Sequence, residues 1–476
     1  MKKNEQKLMS LPMALVTLLI VAGIMSVGLA VLKLNTMVTF ILALVAVCVI
    51  AVLQGMKLEE LQEVILNGFR NLALTGMILI SVGMVVGSWI ISGIVPSIIY
   101  YGLQLFTPSS FLAMGFLICC IISFFTGSSY ASLGTMGVAF MAIGYGMGIT
   151  PGLTAGMAVS GAVFGDKMSP FSDTTNMAPM AAGTDVFTHI KSMLYTVVPA
   201  FLITTVLYFV MGLKFTTASE ESMAGIKAII AALDESFQIS PLLLLIPVLT
   251  IVLVAKKVPA MIALMIGAFA GVFAGLIAQP QFSFSEIVTA MSTGFSQEFE
   301  EAALAKLLNR GGISSMMSTI VYCVFTLELG ELMNEMGVLT VILNKIKDKI
   351  LKPCNLIIVT LISCLATVML TTSQYMAILL PGEVLKSSYE KAKIAPSVLS
   401  RTLEDGGTIF SFLVPWSAAA IYSSGVLGVS TLSYLPYAFL PLLCPVFAVV
   451  CAVTGIGVFD MEGKSLRGQT TKAFQD

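Results

Sequence analysis

Charged residues are scarce in this 476-residue sequence, and neither sign of charge dominates. Asp, Glu, Lys and Arg make up 11% of the chain and hydrophobic residues 57%. Soluble globular domains carry about 25% charged residues. The formal net charge is −1, so the chain has no excess of basic residues with which to neutralise phosphate groups. These shortages exclude a soluble globular fold and a nucleic-acid-binding protein.

Histidine occurs only once, at His189, and the eight cysteines form no CxxC pair. A zinc protease motif needs two histidines, and a GxGD aspartyl protease needs glycine where Val163 stands. The cysteines lie in or beside apolar runs, which predicts small buried side chains rather than disulfides or metal ligands. No GxxxxGK[ST] motif is present for ATP. We therefore predict that the chain is not an enzyme, needs no cofactor and relies on ion gradients for any transport.

Apolar runs approaching the ~20 residues that cross a bilayer recur along the chain. They lie at 11–32, 36–54, 72–94, 110–126, 191–213, 241–255, 259–278, 315–337, 355–372, 408–426 and 432–455. The sequence predicts an all-α polytopic membrane protein with about 11–13 transmembrane segments. The polar segment 216–238 has apolar residues at helical spacing, which predicts a helix lying on the membrane interface.

Two parts of the chain resemble each other at a nearly constant offset. GSWIISGIV (87–95) is echoed by GELMNEMGV (330–338), and TGSSY (126–130) by TTSQY (371–375). We predict two repeats at 71–190 and 313–430, joined by linking spans at 191–312. The N-terminal spans and a cytoplasmic connector take 1–70, and a last span with a polar tail takes 431–476.

The placement of charge predicts that the two repeats are inverted. Lysines near both chain ends place both termini in the cytoplasm by the positive-inside rule. By the same rule, the lysine cluster at 345–352 places that part of repeat 2 in the cytoplasm. The connector before repeat 1 returns to the cytoplasm, whereas the acidic connector before repeat 2 (286–301) lies outside. Similar halves that enter the bilayer from opposite sides are typical of secondary transporters.

The most polar stretch inside the apolar sequence is GAVFGDKMSPFSDTTNMAP (161–179). Pro170 and Pro179 are predicted to break the helix, and charge at a broken helix is tolerated only beside protein or water. Carboxylates, hydroxyls and amide oxygens are the ligands that a hard cation such as Na⁺ prefers. We predict a site for cations and protons at mid-depth, with Na⁺ held by Asp173, Thr174 and Asn176. The predicted residues are Asp166, Ser169, Asp173, Thr174, Thr175, Asn176, Thr126, Ser128 and Ser129 from repeat 1, and Thr371, Thr372, Ser373, Glu404 and Asp405 from repeat 2.

Several of these assignments have structural alternatives. Asp166 and its neighbour Lys167 could form an ion pair, and Glu404–Asp405 could lie in a loop at the membrane surface. The acidic stripe Glu328, Glu331 and Glu335 could line a cation path or a solvated helix end. Asp185 and His189 are interpreted as surface residues.

The sequence also resembles a known family. GDKMSPFSDTTNMAP closely resembles the hallmark of the NhaC-type Na⁺/H⁺ antiporters, and GSWIISGIVPSIIYYGL, FTGSSYASLGT and LLNRGGISSMM are similar to further family motifs. The resemblance covers residues 70–425. It implies the architecture of the ion transporter superfamily, which is an inverted repeat with interrupted helices and re-entrant hairpins. It also implies a bacterial inner membrane and a site core of Asp166, Ser169, Asp173, Thr174, Thr175 and Asn176. Glu328 and Glu331 depart from the family's pattern.

The predicted function is secondary active Na⁺/H⁺ antiport by alternating access. A carboxylate in a low-dielectric environment can exchange a proton for a cation near neutral pH, which would couple the two flows. Some relatives are described as exchanging malate with protons for lactate with sodium, so an organic-anion exchanger is the alternative. Lys167 or Arg401 would then bind the carboxylate substrate. The expected partners are small ions, a small carboxylate in the alternative, the lipid bilayer and, as in dimeric members of the superfamily, a second copy of the chain.

Overall fold

Helices make up nearly all of the regular structure in the computed structural model of this chain. The structure describes residues 9–215, 220–299, 304–305, 308–347 and 350–467. Within these ranges there are no β-strands, and two isolated bridges join Ile394 to Asp460 and Phe459 to Ser465. The predicted all-α fold is confirmed.

The helices of the first half begin at the N-terminal end of the described chain. They are α1 (Leu11–Ser26), α2 (Thr36–Leu53), α3 (Leu58–Ile91), α4 (Ile94–Leu105), α5 (Pro108–Thr126), α6 (Ser129–Ser132), α7 (Val138–Gly146), α8 (Pro151–Met168), α9 (Asp173–Ala182) and α10 (Val186–Leu213). One π-turn, Val27–Val31, extends α1, and another, Leu133–Gly137, joins α6 to α7.

A linking part and the second half follow. The linking helices are α11 (Glu220–Ser236), α12 (Leu245–Ala255), α13 (Ala260–Ala278) and α14 (Phe284–Thr293). The second half contains α15 (Gly312–Glu335), α16 (Val338–Ile346), α17 (Pro353–Thr371), α18 (Gln374–Lys391), α19 (Pro396–Ser411), α20 (Ala418–Leu427), α21 (Thr431–Tyr434) and α22 (Phe439–Thr454). Proline opens α5, α8, α17 and α19, where its missing N–H costs no helical hydrogen bond.

Six of the described helices are long and apolar enough to cross a membrane: α3, α5, α10, α13, α15 and α17. Two bent pairs, 227–255 and 418–437, raise this to eight if each pair counts as one span, and α1, α2, α4 and α22 are shorter apolar helices. The predicted number of segments is reached only when the bent pairs and the short helices are included. Large apolar side chains such as Leu202 and Phe209 of α10 face outward, as expected in lipid.

The two predicted repeats correspond helix by helix at an offset near 245 residues. α3, α4, α5, α8 and α9 match α15, α16, α17, α19 and α20. A tertiary contact is repeated as well. The Cys119 thiol donates to the carbonyl oxygen of Ala158 (3.4 Å), and the Cys364 thiol points at that of Leu403 (4.0 Å). Cys364 and Leu403 each lie 245 residues after Cys119 and Ala158. The same contact is therefore made in both repeats, so the repeat is present in the packing as well as in the sequence.

The packing of α3 against α15 shows that the repeats are inverted. A methyl group placed on Gly68 would lie 2.8 Å from Cα of Glu328, and one on Gly83 would lie 2.6 Å from the carbonyl oxygen of Gly312. Residue numbers rise along α3 as they fall along α15, so these corresponding helices run antiparallel. Inverted repeats require this arrangement, and the prediction is confirmed.

Three sequence predictions about local structure are wrong. Residues 58–70 were predicted as a connector but form the first turns of α3. A continuous helix is possible there because the charged side chains face outward while Leu61 and Val64 are buried. The predicted span 408–426 is split between α19 and α20 at a break that contains Pro415. Pro179 does not end a helix but lies inside α9, where it removes a single backbone hydrogen bond.

Candidate functional site

Two interrupted helices form the centre of the candidate site. The chain leaves helical geometry between α8 and α9 at Ser169–Ser172, and between α19 and α20 at 412–417. Ser172 and Ser417 stand at equivalent N-cap positions, and the Ser417 hydroxyl accepts from the N–H of Ala420 (3.1 Å). Each break leaves helix-terminal N–H and C=O groups unpaired by their own helix, and such groups can bind ions.

Two hairpin tips, the turns that follow α5 and α17, contact these breaks. Gly127, which follows α5, has φ 64°, and Thr372, which follows α17, has φ 57°. A left-handed conformation at a non-glycine residue is uncommon. At Thr372 it is accompanied by a hydrogen bond from the hydroxyl to the carbonyl oxygen of Thr326 (3.3 Å) and one from the N–H of Ala418 to the Thr372 carbonyl oxygen (3.0 Å). The predicted re-entrant hairpins are therefore present, and one tip is bonded to the helix break of its own repeat.

A cavity of about 900 Å³ lies between the hairpin tips, the first helix break and the helices α3 and α15. It gathers many of the residues that the sequence predicted as a site: Thr126, Ser128, Asp166, Asp173, Thr174, Asn176, Thr371 and Ser373. The other predicted residues do not line it, namely Ser129, Ser169, Thr175, Thr372, Glu404 and Asp405. Polar wall residues that the sequence analysis did not select include Tyr130, Gln374 and Tyr375, which follow the two hairpin tips.

Asp166 is the buried carboxylate of the cavity wall. One carboxylate oxygen accepts from the hydroxyl of Ser129 (2.5 Å), and the other accepts from that of Ser172 (2.8 Å). The Asp166 carbonyl oxygen accepts from the hydroxyls of Thr175 (2.7 Å) and Thr174 (3.3 Å). Asp166 therefore joins the hairpin tip to the helix break, within a cluster of hydroxyl oxygens that could also turn toward a cation.

Asp173 lies on the same cavity but in a different environment. It is the first residue of α9 and is exposed, as is Asn176 one turn later. The Asn176 amide donates to the carbonyl oxygens of Pro170 (2.9 Å) and Ser172 (2.7 Å), which holds the break in place and leaves its own oxygen for other contacts. The sequence favoured Asp173 as the main ligand, whereas the burial and hydroxyl contacts distinguish Asp166.

Glu404 and Asp405 are fully buried in the middle of α19, so the alternative of a loop at the membrane surface is wrong. The Lys167 ammonium forms an ion pair with Asp405 (2.6 Å), and the Thr196 hydroxyl donates to the same Asp405 oxygen (3.0 Å). The Thr408 hydroxyl donates to Glu404 (2.7 Å). Lys167 thus pairs with repeat 2 and not with its neighbour Asp166, which corrects the other alternative.

The cations proposed for an organic anion lie away from the cavity. Lys167 faces Asp405, and the Arg401 guanidinium donates to the carbonyl oxygens of Gly457 (2.9 Å) and Ser192 (3.4 Å). Lys257 does line the cavity, in the α12–α13 turn, with its ammonium 4.9 Å from the centre of the Phe171 ring. Lys257 is not among the residues that the sequence predicted for the site. Its nearness to Phe171 is a tertiary contact and could not be anticipated.

The acidic stripe on α15 is divided among three environments. Glu331 lines the cavity, Glu335 is exposed, and Glu328 is buried against α3, where Gly68 makes room for it. The solvated interpretation therefore fits Glu335, and the interpretation as part of an ion path fits Glu331.

Asp185 and His189 differ, although the sequence analysis placed both at the surface. Asp185 is exposed and caps α10 by accepting from the N–H of Thr188 (2.9 Å). Hydrogen bonds from the Thr188 side chain and backbone hold the pKa of Asp185 below its usual value. His189 is fully buried, and its Nδ1 lies 2.6 Å from the Ser400 hydroxyl. The surface prediction is wrong for His189 because, one turn into α10, it faces α19.

Several known proteins are similar to this chain in sequence. Residues 6–175 and 161–456 match the model of the Na⁺/H⁺ antiporter family. The Na(+)/H(+) antiporter NhaC of Alkalihalophilus pseudofirmus is 37% identical over 400 residues, 84% of this chain and 86% of that protein. The Malate-2H(+)/Na(+)-lactate antiporter of Bacillus subtilis is 36% identical over 90% of this chain and 92% of its own. The NhaC of Bacillus subtilis is 31% identical over 94% of this chain and 98% of its own.

Proposed function

The chain belongs to the Na⁺/H⁺ antiporter family, and from that premise we propose that it exchanges sodium ions for protons across the membrane by alternating access. The observation that carries the proposal is the position of Asp166. This carboxylate is buried at the wall of a cavity, between a hairpin tip and an interrupted helix, with two hydroxyls bonded to it. Family membership points to a transporter rather than an enzyme.

We assign the exchange to competition for Asp166. Sodium in the cavity would meet the exposed oxygens of Asp173 and Asn176, and Thr174 lines the same cavity with its hydroxyl bonded to the Asp166 carbonyl oxygen. Hydroxyl and carboxylate oxygens suit a hard cation. A carboxylate that holds a sodium ion cannot also hold a proton, so the two flows are coupled without further machinery.

Proton movement in everted membrane vesicles tests this assignment. The vesicles are loaded with a pH dye, energised and then given Na⁺. We expect wild type to release protons, Asp166→Asn to lose the response because an amide cannot exchange a proton, and Asp173→Asn to need severalfold more Na⁺. Asp185→Asn is the matched control, because Asp185 caps α10 away from the cavity and asparagine caps equally well.

A normal Na⁺ response in Asp166→Asn would contradict the assignment. A response in Asp185→Asn that falls together with that of Asp166→Asn would point to general loss of folded protein instead.

An organic-anion exchanger is the second candidate, favoured by two features of the cavity. Its volume of about 900 Å³ is far larger than a sodium ion needs, and it carries the ammonium of Lys257 on its wall. A cationic side chain there could face a carboxylate substrate. The same vesicle assay separates the candidates. Proton movement that needs malate or lactate in addition to Na⁺ would favour the exchanger, whereas a response to Na⁺ alone favours Na⁺/H⁺ antiport.

We propose that this multi-pass membrane protein lies in the bacterial inner membrane as a homodimer, with both termini in the cytoplasm. The lysines near the two chain ends support this orientation. A C-terminal epitope tag should then be digested by protease in everted vesicles and protected in intact spheroplasts. The reverse pattern of protection would overturn the orientation.

A further inference from the structure

The two hairpin tips are built alike but present different side chains to the ion site. Each leads into a helix with a serine N-cap, Ser128 before α6 and Ser373 before α18, whose hydroxyl accepts from the N–H three residues later (3.2 and 3.3 Å). The first residue of the helix is Ser129 in repeat 1 and Gln374 in repeat 2. These two positions are 245 residues apart, the offset that relates the other corresponding parts of the repeats.

Each of these first helical residues contacts the same position of the interrupted helix in its own repeat. The Ser129 hydroxyl donates to the Asp166 carboxylate (2.5 Å), and the Ser411 hydroxyl lies 3.3 Å from the amide oxygen of Gln374. Ser411 also follows Asp166 by 245 residues. Repeat 2 therefore has a hydroxyl where repeat 1 has the carboxylate, and an amide where repeat 1 has a hydroxyl.

Gln374 also reaches across to the other repeat. Its side chain is only 8% exposed, lines the cavity and interacts with Asp166. The Asp166 carboxylate is thus contacted by the first helical residue after each hairpin tip, Ser129 from its own repeat and Gln374 from the other. The surroundings of this carboxylate are complete only when both tips are in place.

The Gln374 amide can be accommodated in two orientations. An amide has an oxygen that accepts and an NH₂ group that donates, and rotation exchanges them without a change of shape. The Ser411 hydroxyl also lies 2.6 Å from the Thr408 carbonyl oxygen, so it can donate there while its own oxygen accepts from the amide. Gln374 can therefore turn either its NH₂ group or its oxygen toward Asp166.

Each orientation suits a different state of Asp166. The NH₂ group can donate to the charged carboxylate, and such hydrogen bonds are stronger than those between neutral groups. The amide oxygen can instead coordinate a sodium ion bound at the carboxylate, or accept from the carboxyl when it is protonated. The Ser129 hydroxyl contributes one oxygen from repeat 1, and Gln374 contributes both kinds of group from repeat 2.

We propose that Gln374 is the residue through which repeat 2 determines which ion Asp166 holds. Its NH₂ group stabilises the empty carboxylate, and its oxygen becomes a ligand of Na⁺ when sodium takes the place of the proton. The inference rests on the proposed Na⁺/H⁺ exchange. One proton leaves the Asp166 carboxyl for each Na⁺ that binds there, so the charge of the site is conserved, and the neutral amide does not alter it.

Other ionisable groups also act on Asp166 or share its cavity, and a substitution of Gln374 leaves them in place. A changed pH profile in such a variant therefore reports on the amide. These groups are Asp173 of α9, Glu404 of α19, Tyr130 of α6 and Tyr375 of α18, together with Lys257 and Glu331 on the cavity wall.

The test measures Na⁺-driven proton movement by the purified protein in proteoliposomes, over a range of pH and Na⁺ concentration. Gln374→Met keeps the length of the side chain and removes both amide groups. Gln374→Glu keeps accepting oxygens and removes the donor. Gln104→Met is the matched control, because Gln104 is an exposed residue of α4 outside the cavity.

We expect Gln374→Met to raise the Na⁺ concentration for a half-maximal response about tenfold and to move the pH profile about one unit toward alkaline pH. The charged carboxylate loses a donor, so the proton stays bound to a higher pH. Gln374→Glu should show the same alkaline shift, since it adds a negative charge beside Asp166. At alkaline pH it should nevertheless need no more Na⁺ than wild type. Gln104→Met should resemble wild type throughout.

Three results would overturn the inference. The first is a Gln374→Met variant with the pH profile and Na⁺ dependence of wild type. The second is a lower maximal rate in that variant with both of these unchanged, which would leave Gln374 a purely structural role. If Gln374→Met does not fold, an unshifted pH profile in Gln374→Glu is the third. Wild-type protein that moves no protons in response to Na⁺ would instead remove the proposed exchange itself, a failure that is visible without any variant.

Discussion

At the scale of single residues, the pair of Lys167 and Asp405 is the most consequential contact. Both side chains are fully buried, and they come from different repeats 238 residues apart. Removing two charges from water costs free energy that their attraction only partly returns. Such a pair therefore adds little net stability, but either partner alone would be an uncompensated charge in a low-dielectric interior. Its value lies in fixing how α8 and α19 fit together.

Removing one partner should therefore be worse than removing both. We expect Lys167→Met to lower the free energy of unfolding by about 3–5 kcal/mol, because Asp405 is left buried without its counter-ion. The double variant Lys167→Met/Asp405→Leu should recover most of the loss. Thermal unfolding of the purified protein in detergent measures both. A double variant as unstable as the single one would mean that Asp405 is stabilised mainly by groups other than Lys167.

At the scale of secondary structure elements, glycine sets the distance between α3 and its neighbours. A side chain on Gly83 would overlap the α15 backbone at Gly312, and one on Gly87 would overlap the carbonyl oxygen of Ala290 in α14. Small residues at helix contacts allow backbones to approach closely in membrane proteins, where dispersion forces and packing replace the hydrophobic effect. The long helix α3 is therefore held against both α14 and α15.

Gly87→Ala tests this contact, with Gly76→Ala in the same helix as its control. At Gly76 the added methyl group would meet only Leu72, at 3.6 Å, an ordinary van der Waals distance. We expect Gly87→Ala to cost about 1–3 kcal/mol through overpacking, and Gly76→Ala to be neutral or slightly stabilising through helix propensity. Thermal unfolding midpoints of the two variants measure the difference. Equal midpoints would show that the α3–α14 contact relaxes freely.

At the scale of the whole molecule, the sequence predicted the all-α fold, the inverted repeats and part of the cavity wall from local patterns. The echo of TGSSY in TTSQY identified both hairpin tips, because each tip needs the same turn and cap. The break at Ser169–Ser172 was predicted from Pro170. Its counterpart before Ala418 was missed because the residues around it are apolar and suggest one continuous span.

The rest depends on contacts between distant parts of the chain. Nothing local to Lys167 indicates that its partner is Asp405 rather than Asp166. The burial of His189 follows from which face of α10 meets α19, and the position of Lys257 on the cavity follows from how the α12–α13 turn reaches Phe171. Each is decided by tertiary packing, which spacing along one segment does not encode.

The ion pair between Lys167 and Asp405 also limits how the protein can move. Because it joins α8 to α19, we expect the two interrupted helices to move together, with the carboxylates between them. Residues of α3 and α15 form the other wall of the cavity, and the backbones of these two helices pack closely at Gly68 and Gly83. We expect access to the opposite side of the membrane to come from movement of this pair of helices relative to α3 and α15. The site would cross the barrier intact, instead of being opened and closed by separate gates.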